Sequence, residues 1–357
     1  MAEAKVRVRG EEIRRFLLEN VEQHPSDAAK LASDHFKITR QAVHKHVRRL
    51  ISERALTEEG QTRNRVYKLA PLIEWRQIYH ISPELAEDVI WRKDISSILG
   101  KQPQNVSEIW QHGFTEIFNN AKDHSQGSSI IVVIKKTAIT TAISIIDNGV
   151  GIFRKIKEAM NLLDERHAIL ELAKGKLTTD PKRHSGEGIF FTSRMFDSFW
   201  ILSIGASFRH DFGRAEEWIF EEGIDEGTHV KMVLNNHTAR RKEKIFNQYA
   251  TGDGFTFNKT VVPVRLAQYG NEQLISRSQA KRLLTRVELF NIVLFDFKEV
   301  PTIGQAFADE IFRVFATEHP EINLLPININ SEVRRMISRV RSPLGQPSES
   351  TPTSGPS

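Results

Sequence analysis

The sequence predicts an α+β protein of several domains, on three observations. A basic first segment reads as helices followed by a short hairpin. A central segment reads as helices and strands that form a mostly antiparallel sheet covered by helices on one face. A last segment runs strand, helix, strand, helix, the order of a small α/β unit. With 357 residues there is room for two or three domains.

Composition narrows the classes. Apolar residues make up 39% and charged residues 27%, the mix of a water-soluble globular chain. No apolar run approaches the roughly 20 residues that span a bilayer, and the charged start MAEAKVRVRGEE has no apolar h-region. Cysteine is absent, which excludes disulfides, thiolate nucleophiles and cysteine-based metal sites. A cytoplasmic location is expected. The net charge of +5 is modest, but residues 1–70 hold about 15 Lys/Arg against about 10 Asp/Glu, so the excess sits there. That points to an acidic partner for the N-terminal segment. The Ser/Pro-rich stretch 342–357 is expected to be disordered.

In residues 10–24, Ile13, Phe16, Leu17 and Val21 recur at helical spacing. Pro25 ends that helix, and Ser26 is expected to cap the next, through Phe36. Thr39 is a candidate N-cap for a helix to about Arg54, with Ala42, Val43, Val47, Leu50 and Ile51 inside. Arg40, Gln41, His44, Lys45 and Arg48 face outward. Two short strand-like runs follow, joined by the polar turn EEGQTRN. Three helices and a hairpin over residues 1–70 resemble a winged helix-turn-helix domain. The resemblance implies DNA binding, with Arg40, Gln41, His44 and Lys45 reading base edges and Arg48, Arg63 and Arg65 on phosphates. The bland alternative is a solvated basic helix in a domain that contacts protein. Residues 71–99 read as a linker with a helix.

Four motifs lie between residues 100 and 236. Glu116, Asn120 and Asp123 are spaced i, i+4, i+7, which places them on one helix stripe. Polar groups in such register are costly to bury without a ligand. Ile143-Ser-Ile-Ile-Asp147-Asn-Gly149-Val-Gly151 ends a strand in a carboxylate followed by glycines that permit close backbone approach. Gly186-Glu-Gly188 leads into a helix, whose free N–H groups suit phosphate oxygens. Gly227-Thr228 enters a strand. Each motif alone is weak.

Together, in this order, they resemble the GHKL ATPases, whose α/β sandwich is the Bergerat fold. The resemblance implies ATP and Mg²⁺ as ligands and supplies roles. Asn120 would ligate Mg²⁺, and Asp147 would accept from the adenine amino group. Gly149 and Gly151 would make room for the base, Thr228 would support Asp147 through its hydroxyl or a water, and Gly186 and Gly188 would close on the phosphates. Residues 154–185, with Lys174, Lys176, Lys182 and Arg183, would form the ATP lid, most of these cations being solvated. Glu116 would polarise water for hydrolysis. It equally suits serine kinases of the anti-sigma type, whereas a histidine kinase is disfavoured, because His80-Ile-Ser-Pro is no phosphoacceptor motif.

The third segment, residues 257–340, has strand-like runs at 260–264 and 292–297 and helical runs at 276–290 and 304–317. Ile292 to Arg313 resembles a STAS-type domain, as in anti-sigma-factor antagonists. Where those carry a phosphorylated serine this sequence has Gln305, which argues against self-phosphorylation and leaves a protein-binding or dimerisation role. Phe307, Asp309 and Glu310 are a possible contact face, against the plainer reading of an ordinary amphipathic helix. The combined expectation is an ATP-binding, weakly hydrolysing, DNA-binding regulator, implied to be a homodimer without membrane contact. The rivals are a protein serine/threonine kinase acting on a separate partner and a nucleotide-gated scaffold.

Overall fold

A computed structural model describes residues 2–61, 64–177, 186–213, 217–220, 224–251, 256–268 and 272–341. Arg63, Lys182, Arg183 and the stretch 342–357 lie outside the described residues.

The N-terminal unit has its own core. Helix α1 (Ala2–Asn20) starts earlier than its apolar spacing implies, and α2 (Ala28–Phe36) and α3 (Arg40–Ser52) pack on it. Ile13, Leu17, Ala32, Val43, Val47 and Leu50 are buried together. Asp27, not Ser26, occupies the N-cap of α2, without a side-chain capping bond. Thr39 does cap α3: its Oγ1 accepts from the Ala42 N–H at 3.2 Å. Strands β1 (Leu56–Glu59) and β2 (Val66–Leu69) form an antiparallel hairpin, with Leu56 opposite Leu69.

The central sheet begins in the region expected to be a linker. Ile73–His80 is a strand, β3, paired antiparallel with β4 (Ser129–Lys136) from Ile73–Lys136 to His80–Ser129. Ile73, Trp75 and Tyr79 turn to its less exposed side, so a period-two pattern is present but interrupted by Gln77. The helical part of this region is confined to α4 (Glu87–Ile90), a π turn at Trp91–Ile95 and α5 (Ser96–Leu99). Next come α6 (Gln104–His124), β4, β5 (Thr140–Asp147), α7 (Ile152–Met160), α8 (Glu165–Lys174) and α9 (Gly188–Met195). Strands β6 (Ser198–Ser203), β7 (Ala206–Asp211), β8 (Glu217–Phe220) and β9 (Thr228–Asn235) complete a seven-stranded sheet of order β3-β4-β5-β9-β6-β7-β8. Every neighbouring pair is antiparallel.

Helices α6, α8 and α9 contact the strands. The side chains turned inward from the sheet, such as Ile130, Val132, Ile134, Ile143, Ile145, Phe199, Ile201 and Met232, are almost fully buried. On α6 the apolar stripe Val106, Ile109, Trp110, Phe114, Ile117, Phe118 and Ala121 supplies the matching surface.

The chain then passes through α10 (Lys242–Tyr249) and the short pair β10 (Ala250–Thr251) and β11 (Thr256–Phe257) to a second, parallel sheet. Its strands are β12 (Lys259–Pro263), β13 (Ile292–Asp296) and β14 (Asn323–Ile327), in that order. Helix α11 (Arg277–Leu284) is shorter than its periodicity implies: Thr285 leaves the helical conformation at ψ 126° and Arg286 after it is left-handed. The run α12 (Gln305–Asp309), π turn Glu310–Phe315 and α13 (Ala316–Glu318) follows β13, and α14 (Ser331–Arg341) follows β14. Phe307 is fully buried, and Asp309 and Glu310 face Arg277, so this trio is not a free contact face. One continuous apolar core joins this unit to the central sheet. Among the described residues no helix is long and apolar enough to cross a membrane.

Candidate functional site

A cavity of about 300 Å³ opens between the central sheet and its helices. Its size falls at the lower end of ligand pockets. Glu116 and Asn120 reach it from successive turns of α6, Asp147 from the end of β5 and Thr228 from the start of β9. Gly151, Gly186 and Gly188 complete much of the wall. Residues more than a hundred positions apart therefore meet at one place. Asp123, the third member of the α6 stripe, is exposed and does not line the cavity.

Asp147 is 7% exposed and pairs across the sheet with Thr228. Burial pushes its carboxyl above the ordinary carboxylate range, while backbone hydrogen bonds from Gly149 and Thr228 pull the other way. The Gly149 N–H donates to Asp147 Oδ1 at 2.9 Å. The Thr228 hydroxyl is not on that carboxylate: its Oγ1 accepts from the Ile152 N–H at 3.0 Å and so fixes the start of α7. The direct hydroxyl contact expected between Thr228 and Asp147 is therefore not made.

The glycines also divide. A Cβ at Gly149 would lie 2.0 Å from the Ser125 carbonyl oxygen, and Gly149 does not line the cavity. Its smallness lets the Ser125 carbonyl approach its backbone. At Gly188 a Cβ would lie 2.0 Å from Glu116 Oε2. The carboxylate therefore sits against the first turn of α9, where the helix dipole favours negative charge. Gly186 adopts φ +73° beside the Leu177 backbone, and the Leu177 N–H donates to its carbonyl.

Lys155 lines the cavity, although nothing in the sequence pattern singles it out. Its Nζ donates to the His124 carbonyl at 2.6 Å, and burial pulls its pKa below the usual lysine value. The one available signal is its place in the first turn of the helix after Gly151. Lys174, by contrast, is wholly buried away from the cavity, against Glu171 at 2.6 Å. It is neither a solvated lid charge nor a phosphate contact.

Among the described residues no group of three or more acidic or histidine side chains is placed to hold a metal ion by itself. The donor set fits a different arrangement. The amide oxygen of Asn120 is a hard donor of the kind that suits Mg²⁺ when other oxygen ligands complete the shell.

On the N-terminal unit, Arg40, Gln41, Lys45 and Arg48 are exposed along α3 and His44 is half-buried. Arg65 is exposed on the hairpin and lies 3.4 Å from Glu58.

Comparison with family models gives one assignment. Residues 279–334 match a family described as STAS-like domain of unknown function (DUF4325). The C-terminal unit is STAS-like. Comparison with curated proteins and with solved structures found no match. In the STAS-like unit Gln305 is the exposed first residue of α12, capped by Gly304. A STAS-like domain points to interaction with protein.

Proposed function

We propose that the chain is an ATP-binding and ATP-hydrolysing regulator that contacts DNA through its N-terminal unit. The observation that carries the nucleotide part is the convergence of Glu116, Asn120, Asp147, Gly151, Gly186, Gly188 and Thr228 on one cavity. That constellation, on an antiparallel sheet covered by helices, is similar to the GHKL ATPases. Asp147 presents a carboxylate held by the Gly149 N–H, suited to an exocyclic amino group of adenine. Asn120 would hold Mg²⁺ at the phosphate end, with Lys155 as the nearby cation. Bound Mg²⁺ would neutralise phosphate charge. Glu116, one helical turn from Asn120, is placed to accept a proton from an attacking water.

The N-terminal unit has the order of a winged helix-turn-helix, with Arg40, Gln41, Lys45 and Arg48 outward on α3. Such a helix suits the major groove, and the hairpin cation Arg65 suits flanking phosphate. In this reading nucleotide state changes the arrangement of two copies and so the spacing of two DNA-reading helices. Calorimetric titration of the full chain with Mg-ATP, with and without duplex DNA, tests both parts. Binding of each ligand and a change in one affinity by the other are expected. No heat with Mg-ATP sinks the nucleotide reading. Anisotropy at low salt tests DNA separately, with affinity lost in Arg40→Ala/Lys45→Ala; wild-type protein without DNA affinity at low salt refutes it.

A further inference from the structure

One wall of the cavity is held from behind by the STAS-like unit. Leu172 and Leu177 line the cavity, and the Leu177 N–H donates to the carbonyl of Gly186 at 3.0 Å. Between them, Lys174 and Lys176 turn polar groups toward the C-terminal unit. Lys174 Nζ donates to the carbonyls of Thr285 at 2.7 Å and Arg282 at 3.3 Å. The Thr260 hydroxyl donates to the Lys174 carbonyl at 2.6 Å, and Lys176 Nζ donates to the Leu289 carbonyl at 2.7 Å.

Arg286 spans this wall. One guanidinium nitrogen donates to the carbonyl of Lys176, directly before Leu177, and the other lies 3.4 Å from Glu171 Oε2, directly before Leu172. A planar fork can join two acceptors at fixed separation in a way that an ammonium cannot. The backbone of Arg286 is left-handed, at φ +60°, a conformation that a side chain disfavours and glycine tolerates.

We propose that Arg286 of the STAS-like unit is a positioning residue for the nucleotide cavity, holding the Leu172–Leu177 wall at both ends. This rests on the nucleotide reading above. It makes the cavity a shared structure of two units. By linkage, what binds the STAS-like unit near Arg286 changes nucleotide affinity, and nucleotide changes that binding equally.

The test uses the full chain, calorimetric titration with a magnesium complex of a non-hydrolysable ATP analogue, and thermal melting. Arg286→Gly removes the fork while easing the backbone, so the melting temperature should stay near wild type while Kd rises about tenfold. Arg286→Lys keeps the charge but not the fork, and should give an intermediate Kd. Val333→Ala, a cavity in the core of the same unit, should lower the melting temperature and leave Kd unchanged. Hydrogen exchange supplies a second readout: nucleotide should protect the Leu177 amide in wild type and fail to do so in Arg286→Gly. If wild type binds the analogue and Arg286→Gly binds it equally well, the proposal is overturned while the nucleotide reading stands. Weakening by Val333→Ala as large as that by Arg286→Gly also overturns it, since general loosening then explains both. If wild type does not bind, the nucleotide reading fails and takes this one with it. Should Arg286→Gly not fold, the Kd of Arg286→Lys decides: a rise supports the proposal, no change overturns it.

Discussion

Replacing Asp147 by Asn separates recognition from stability at a single buried group. The two side chains have the same shape, so packing is conserved. In wild type the carboxylate accepts the Gly149 N–H and has a face toward the cavity. Asn keeps one oxygen and replaces the other by an NH₂ donor. An adenine amino group that met the carboxylate then loses a charge-assisted bond, worth about 1.5–3 kcal/mol. Affinity for Mg-ATP should fall about 10- to 150-fold by calorimetry at neutral pH.

Stability should respond with the opposite trend. Burial raises the Asp147 pKa in the folded chain above its unfolded value. The stability this group contributes is therefore fully present below the unfolded pKa and is lost as pH rises through the folded pKa. Asn does not titrate. The melting temperature of Asp147→Asn minus that of wild type should thus become more positive from acid to neutral pH. Unchanged nucleotide affinity would refute the adenine role of Asp147, and a pH-independent melting difference would refute the burial argument.

Other outcomes follow from the same geometry. Glu116→Gln should lower phosphate release by a factor of about 100 or more while Kd for Mg-ATP changes little, and unaltered release excludes Glu116 as the base. Gly149→Ala forces a methyl against the Ser125 carbonyl, which itself accepts from the Val150 N–H, so urea unfolding should show a loss of about 2–3 kcal/mol; a neutral substitution would mean that the loop relaxes freely. Lys174→Met leaves the Glu171 carboxylate without its closest cation and should cost about 3–5 kcal/mol by urea unfolding, and a stabilised variant would contradict the buried pairing.

Much of the architecture is legible in the sequence because it is locally encoded. The helical burial rhythm of α6, the apolar runs of β4 and β5, and the Thr39 cap all report the environment of single elements. The edge strand β3 is not legible in this way, since Gln77 interrupts its alternation and an edge strand is only half enclosed. Around the cavity, residue types and spacing single out Glu116, Asn120 and Asp147, whereas Lys155 stays hidden because one lysine in a charged helix carries no distinguishing pattern.

By itself the sequence determined that helices and strands of these periods exist, that the basic excess sits in residues 1–70, and that a carboxylate followed by glycines ends β5. Tertiary structure alone decided what each glycine and lysine is for. Gly149 yields to the Ser125 carbonyl, Gly188 to Glu116, and Lys174 to the carbonyls of the STAS-like unit. The reason is physical: periodicity records which side of an element is buried, but hydrogen bonds and steric limits depend on atoms brought close from distant parts of the chain.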